Sequence, residues 1–153
     1  MLGFDTSAYI NGQRDHLPLV TFPSVWSVIE EAIDDHRIIL PREVYRELTA
    51  KDDDLAAWIE ERSAAVILPS QDVQREAGRL MAEFPQRGVR NVADPFVIAE
   101  ALLRGFTVTT YEGRSFSGVP TVRWGRSMPG ICQHFDVKCC TLPVALEMLG
   151  AEF

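Results

Sequence analysis

Four acidic residues stand where a fold could bring them together. Asp5 directly follows the short apolar run Leu2-Gly3-Phe4, Glu47 lies on a helical stretch, Asp94 opens a second one, and Glu112 falls just past a β-branched run. An acid at the carboxyl end of a strand lies where open α/β sheets place their ligands. In a parallel sheet all such ends share one edge, so Asp5 and Glu112 can meet there. Carboxylates without His or Cys are hard oxygen ligands, suited to Mg²⁺ or Mn²⁺. A metal held this way lowers the pKa of a bound water and neutralises charge building on a phosphate and its leaving oxygen, which is one- or two-metal phosphoryl chemistry. Singly, each acid has a plainer role: Asp5 could close an Asx-turn, and Asp94 could merely cap its helix.

The elements that must position these acids are legible in outline. Pro95 lacks an N–H and has a φ suited to the first helical position, and it pushes the preceding residue out of the α region, so Asp94 is expected as the N-cap. The residues that follow, Phe96 to Leu103, leave little polar face, as for a helix packed on a sheet, and Gly105 ends it. Pro23 to Ile33 places Val25, Ile29 and Ala32 on one helical face, widened by Trp26 and Ile33. Arg37 to Leu40 reads as a buried strand, and Pro41 opens a helix in which Val44 and Leu48 face the core.

Glu43 and Glu47 share the neighbouring face of that helix at i, i+4, a repulsive spacing that calls for other partners. Arg42 and Arg46 could supply them, and Glu43 rivals Glu47 for the site. Asp52-Asp53-Asp54 caps a helix from Leu55 to Arg62, Val66 to Leu68 is extended, and a further amphipathic helix runs from Ser70 to about Phe84 before Pro85. Phe106 to Thr110 is the strongest strand signal. The tail alternates short strands (Val119 to Trp124, Lys138 to Thr141) with short helices (Pro129 to Phe135, Leu142 to Leu149). Strands alternating with helices predict an α/β domain with a mainly parallel sheet.

At 153 residues, 46% hydrophobic and 24% charged, the chain is expected to be one soluble domain, residues 1–153. Its 15 basic and 22 acidic residues leave a net charge of −7, so the overall field repels polyanions and a nucleic-acid substrate needs metal ions or a local basic patch. No stretch approaches the ~20 apolar residues of a membrane span and the N-terminus lacks a signal pattern, so a cytoplasmic location is expected. Cys132, Cys139 and Cys140 are expected as reduced core or near-core thiols, and His16, His36 and His134 show no zinc spacing. Gly113 and Gly118 do not make a phosphate-cradling loop.

The sequence resembles the PIN-domain nucleases. The resemblance rests on Phe4-Asp5-Thr6-Ser7, on Leu40-Pro41 through Val44 with Glu47-Leu48, on Ala93-Asp94-Pro95-Phe96-Val97-Ile98-Ala99, and on Val108 to Glu112. More narrowly, Trp26, the run from Glu47-Leu48 to Leu55 and Trp58, and Met128 to Cys132 followed by His134-Phe135 and Val137 are similar to the DUF4411 group of PIN-like proteins. The resemblance implies a PIN-like three-layer fold, α/β with a central parallel β-sheet flanked by helices. It implies a Mg²⁺- or Mn²⁺-dependent endoribonuclease, the toxin of a toxin–antitoxin pair, with Asp5, Glu47, Asp94 and Glu112 as catalytic and metal-site acids. Ser7 and Thr110 match hydroxyl positions that support the acids or contact substrate. The implied partners are RNA and an antitoxin protein, with room for a homodimer. One departure stands out: many relatives carry Asp where Thr110-Tyr111 is followed by Glu112, whose longer arm can still reach a metal.

Arg87 and Arg90 before the Asp94 helix, and Arg114, Arg123 and Arg126 after Glu112, are candidates for RNA backbone contacts. A haloacid-dehalogenase-type phosphatase would need Asp where Ser7 stands. A response-regulator receiver would need paired acids and a partner lysine, and the chain has only Lys51 and Lys138. The alternative that remains is a PIN-like fold used for binding or interaction without catalysis.

Overall fold

The computed structural model describes residues 1–83, 93–111 and 128–151. The expected strand Val119 to Trp124, the acid Glu112, and the arginines Arg87, Arg90, Arg114, Arg123 and Arg126 lie outside the described residues. Five strands, β1 (Leu2–Phe4), β2 (Ile38–Pro41), β3 (Val66–Ile67), β4 (Thr107–Thr110) and β5 (Cys139–Thr141), pair in the order β3-β2-β1-β4-β5. All four pairings are parallel. Eight α-helices among the described residues flank the sheet: α1 (Thr6–Asn11), α2 (Pro23–Asp34), α3 (Arg42–Thr49), α4 (Asp54–Glu60), α5 (Gln71–Glu83), α6 (Asp94–Arg104), α7 (Met128–His134) and α8 (Leu142–Met148). The expected α/β architecture with a central parallel sheet is what the structure shows.

The central strands β1 and β2 offer no polar side, whereas the edge strands β3 and β5 are only partly covered. Every residue of β1 and β2 is buried, which is the pattern of a parallel sheet between helical layers. Parallel crossovers are right-handed, so the connections moving outward through β2 to β3 and those moving back to β4 and β5 lie on opposite faces. α6 packs against β1, β2 and β4 and against α5. The Phe106 ring can pack directly on β1 because Gly3 has no Cβ: one built there would sit 2.2 Å from the ring. Gly105 ends α6 with a left-handed φ of 76°, as a helix C-terminus favours.

Three local expectations are corrected. Asp94 is not the N-cap of α6. The Ala93 carbonyl already accepts from the N–H groups of Phe96 and Val97, both at 3.0 Å, so Ala93 is the cap and Asp94 the first helical residue. A helix just after β1, read only as a turn in the sequence, is present as α1. It continues through a π-helical turn, 12–16, closed by the Leu17 N–H on the Gly12 carbonyl at 2.8 Å. Of the three cysteines, Cys132 is buried and Cys140 partly so, but Cys139 is exposed, because it stands at the start of an edge strand. No helix among the described residues is long and apolar enough to cross a membrane.

Candidate active site

The strand order creates a switch point. The chain leaves β1 toward β2 and leaves β4, its neighbour on the other side, toward β5, so the loops at their carboxyl ends diverge and open a crevice there. Asp5 stands at this crevice. Its N–H extends the ladder to the Thr109 carbonyl at 2.9 Å, after which the backbone turns and Asp5 caps α1. One carboxylate oxygen, Oδ1, accepts from the Ala8 N–H at 2.8 Å and from the Ser7 hydroxyl at 2.7 Å. The Asx-type role expected of a post-strand Asp is thus present, and it fixes the orientation of a carboxylate that is only 3% exposed.

Ser7 and Thr110, the two hydroxyls singled out in the sequence, meet across β1 and β4. Their oxygens are 3.2 Å apart, and the Ser7 Oγ also accepts from the Tyr111 N–H at 3.3 Å. The strand register explains this: Phe4 pairs with Thr109, so Thr110 at the end of β4 lies beside the start of α1, which carries Ser7.

Glu47 reaches the same edge from α3. Its Oε2 accepts from the Thr6 hydroxyl at 2.6 Å and its Oε1 from the Ala93 N–H at 2.7 Å. One carboxylate therefore binds the residue after Asp5 and the residue before Asp94, and it supplies the negative charge that the N-terminus of α6 attracts. Glu43 behaves differently, pairing with Arg42 at 2.8 Å and Arg46 at 3.5 Å on its own helix. Among the described residues, Glu47 is the one of the two rivals that ties separate elements together. A groove of about 390 Å³ lined by Glu43, Arg46, Glu47 and Ala50 keeps this face of α3 open to solvent.

Two buried groups to which the sequence reading gave no role at the site, Cys132 and Tyr9, lie within electrostatic reach of the candidate acids. The Cys132 thiol on α7 is pushed far up by its hydrogen bond with Cys139, then by burial and by the charges of Cys139, Asp5 and Asp94. A single buried sulfur thus feels both Asp5 and Asp94. The Tyr9 phenol, four residues after Asp5, is raised by burial and by the Asp5 charge, and its hydroxyl has no hydrogen-bond partner among the described residues. Tertiary contacts produce both effects, and no local pattern announces them. Glu100, a third buried group, is 1% exposed on α6, with one oxygen on Arg104 and the other unpartnered among the described residues.

The donors at this edge are carboxylate and hydroxyl oxygens, which fit a hard divalent cation in kind. Among the described residues no three His, Cys, Asp or Glu side chains are grouped to hold a metal ion by themselves. Mg²⁺ does not require such a cage, since it keeps several waters and is commonly bound through one or two carboxylates with substrate phosphate oxygens. Asp5 and Asp94 both act electrostatically on the Cys132 thiol. Glu47 retains lone pairs beyond its two hydrogen bonds.

Among curated proteins none matches the chain. Among solved structures, a toxin–antitoxin complex from Klebsiella pneumoniae has a similar chain, 17% identical, covering 78% of this chain and 93% of its own, with a TM-score of 0.49. The sequence model of the family described as a domain of unknown function, DUF4411, matches residues 3–153, and the chain belongs to that family.

Proposed function

We propose that the protein is a metal-dependent endoribonuclease of the PIN type, with Asp5, Glu47, Asp94 and Glu112 as its acids, acting as the toxin of a toxin–antitoxin pair. The observation that carries this reading is the double anchoring of Glu47, which draws the Asp5 and Asp94 elements to one edge at the switch point between β1 and β4. A bound Mg²⁺ or Mn²⁺ would supply an activated water and neutralise phosphate charge. The chain's own part is to hold the acids. Ala8 N–H and Ser7 fix Asp5, Thr6 and Ala93 N–H fix Glu47, and the first turn of α6 places Asp94 where the helix dipole favours its ionised form. In a molecule of net charge −7, metal also overcomes repulsion of the RNA backbone.

Purified protein with Mg²⁺ or Mn²⁺ is expected to cleave single-stranded RNA, EDTA to stop it, and Asp5→Asn or Asp94→Asn to abolish it without loss of soluble yield. Equal cleavage in EDTA overturns the metal mechanism. The toxin role rests on the family resemblance. Expression is expected to arrest growth and the same two variants to relieve the arrest; variants as toxic as wild type overturn that assignment.

A further inference from the structure

Beside the acids lies an aromatic pair that the proposed chemistry does not use. Tyr111 follows β4, and its backbone N–H is held by the same Ser7 oxygen that donates to Asp5, so its position is keyed to the site through two hydrogen bonds. Its hydroxyl hydrogen-bonds Nε2 of His16, a residue 95 positions away. The two rings are inclined by 33° with centroids 5.4 Å apart. His16 is exposed and Tyr111 half-buried, so the pair faces outward at the rim of the crevice.

The π-helical turn 12–16 is what brings His16 there. A wide i to i+5 turn is a rare conformation, frequently found at functional sites. Arg14 on the same turn lies within electrostatic reach of the Tyr111 phenol, but its guanidinium is already held by Asp15 and Asn11. Among the described residues the patch is therefore aromatic, with its one nearby guanidinium already held, which suits the flat face of a base.

We propose that Tyr111 and His16 form a stacking subsite for one unpaired nucleobase of a single-stranded RNA, next to the Asp5 carboxylate. This deepens the nuclease reading and rests on it for the choice of RNA. Stacking on aromatic side chains is how proteins engage single-stranded bases, and it tolerates any sequence because every base has a π-face. The subsite holds the strand so that a neighbouring phosphate lies toward the acids, and it supplies affinity that the net charge denies.

The test is fluorescence anisotropy with a fluorescein-labelled dodecamer of oligoadenylate RNA in EDTA, where no cleavage occurs. Tyr111→Ala is expected to weaken binding roughly 5- to 150-fold, the range set by one lost base–aromatic stack. His16→Ala, a change at an exposed residue that leaves folding intact, is expected to weaken it as well. Tyr111→Phe keeps the ring and loses only the hydroxyl link, and should stay close to wild type. Wild-type affinity in Tyr111→Ala or His16→Ala overturns the proposal, as does a loss in Tyr111→Phe equal to that in Tyr111→Ala, which would make the pair a latch. No binding by the wild type overturns it too. Binding that depends on Tyr111 in a protein that never cleaves with Mg²⁺ keeps the subsite and removes the nuclease; cleavage that is indifferent to Tyr111 does the reverse.

Discussion

Removing the Glu47 carboxylate should loosen the fold far more than removing Glu43, although both are glutamates on one face of α3. Glu47→Ala leaves the Thr6 hydroxyl and the N–H of Ala93, a residue 1% exposed, without their acceptors. A hydrogen bond to a charged group contributes roughly 1.5–3 kcal/mol, and both here are only partly buried, so the lower end applies and the sum is about 3 kcal/mol. For a chain of this size that is a fall in melting temperature of roughly 6–12 °C. Glu47→Gln retains the acceptor for Ala93 and presents an amide to Thr6, whose hydroxyl can turn to accept it, so the cost should be about 1 kcal/mol. Glu43→Ala breaks only pairs with Arg42 and Arg46, the latter 61% exposed, and should cost about 1 kcal/mol or less.

Repulsion among the acids works in the opposite sense when no cation is present, so the cleaner quantity is a double-mutant cycle of Glu47→Ala with Thr6→Val. It should show a coupling of about 1 kcal/mol. Urea unfolding followed by tryptophan fluorescence in EDTA measures the wild type and all five variants. A Glu47→Ala cost no larger than that of Glu43→Ala, or an additive cycle, refutes the brace.

Two further outcomes are expected. Asp94→Asn should melt at or above wild type in EDTA yet gain less from metal. For ~10 mM Mg²⁺ and a dissociation constant of roughly 1 mM the wild type gains about 1.4 kcal/mol. That gain corresponds to about 3–6 °C, and parallel shifts in differential scanning fluorimetry would remove Asp94 from the site. Gly3→Ala should cost about 1–3 kcal/mol through overpacking against the Phe106 ring, which a Cβ would meet at 2.2 Å. Phe106→Leu should recover part of that loss in urea unfolding, whereas additive costs would deny the contact.

The sequence by itself determined the elements and the edge on which chemistry can occur. Pro23, Pro41 and Pro95 mark helix starts, the 3.6-residue spacing of Val44 and Leu48 sets the buried face of α3, and Asp5 directly after Leu2-Gly3-Phe4 places a carboxylate past a strand. These are local signals, and the chain carries them within a few residues. Periodicity names a face but not what it meets, so the sequence left Glu43 and Glu47 as rivals. Only the tertiary structure separated them, through partners 41 and 46 positions from Glu47. The same holds for Asp94, expected as a cap on the strength of Pro95. The cap is Ala93, whose carbonyl accepts from the Phe96 and Val97 N–H groups while a carboxylate from α3 holds its own N–H. The electrostatic reach of Asp5 and Asp94 to Cys132, and His16 beside Tyr111, were likewise illegible. Such pairs depend on the strand order β3-β2-β1-β4-β5, and short apolar strands read alike, so nothing in their hydrophobic pattern says which one lies next to β1.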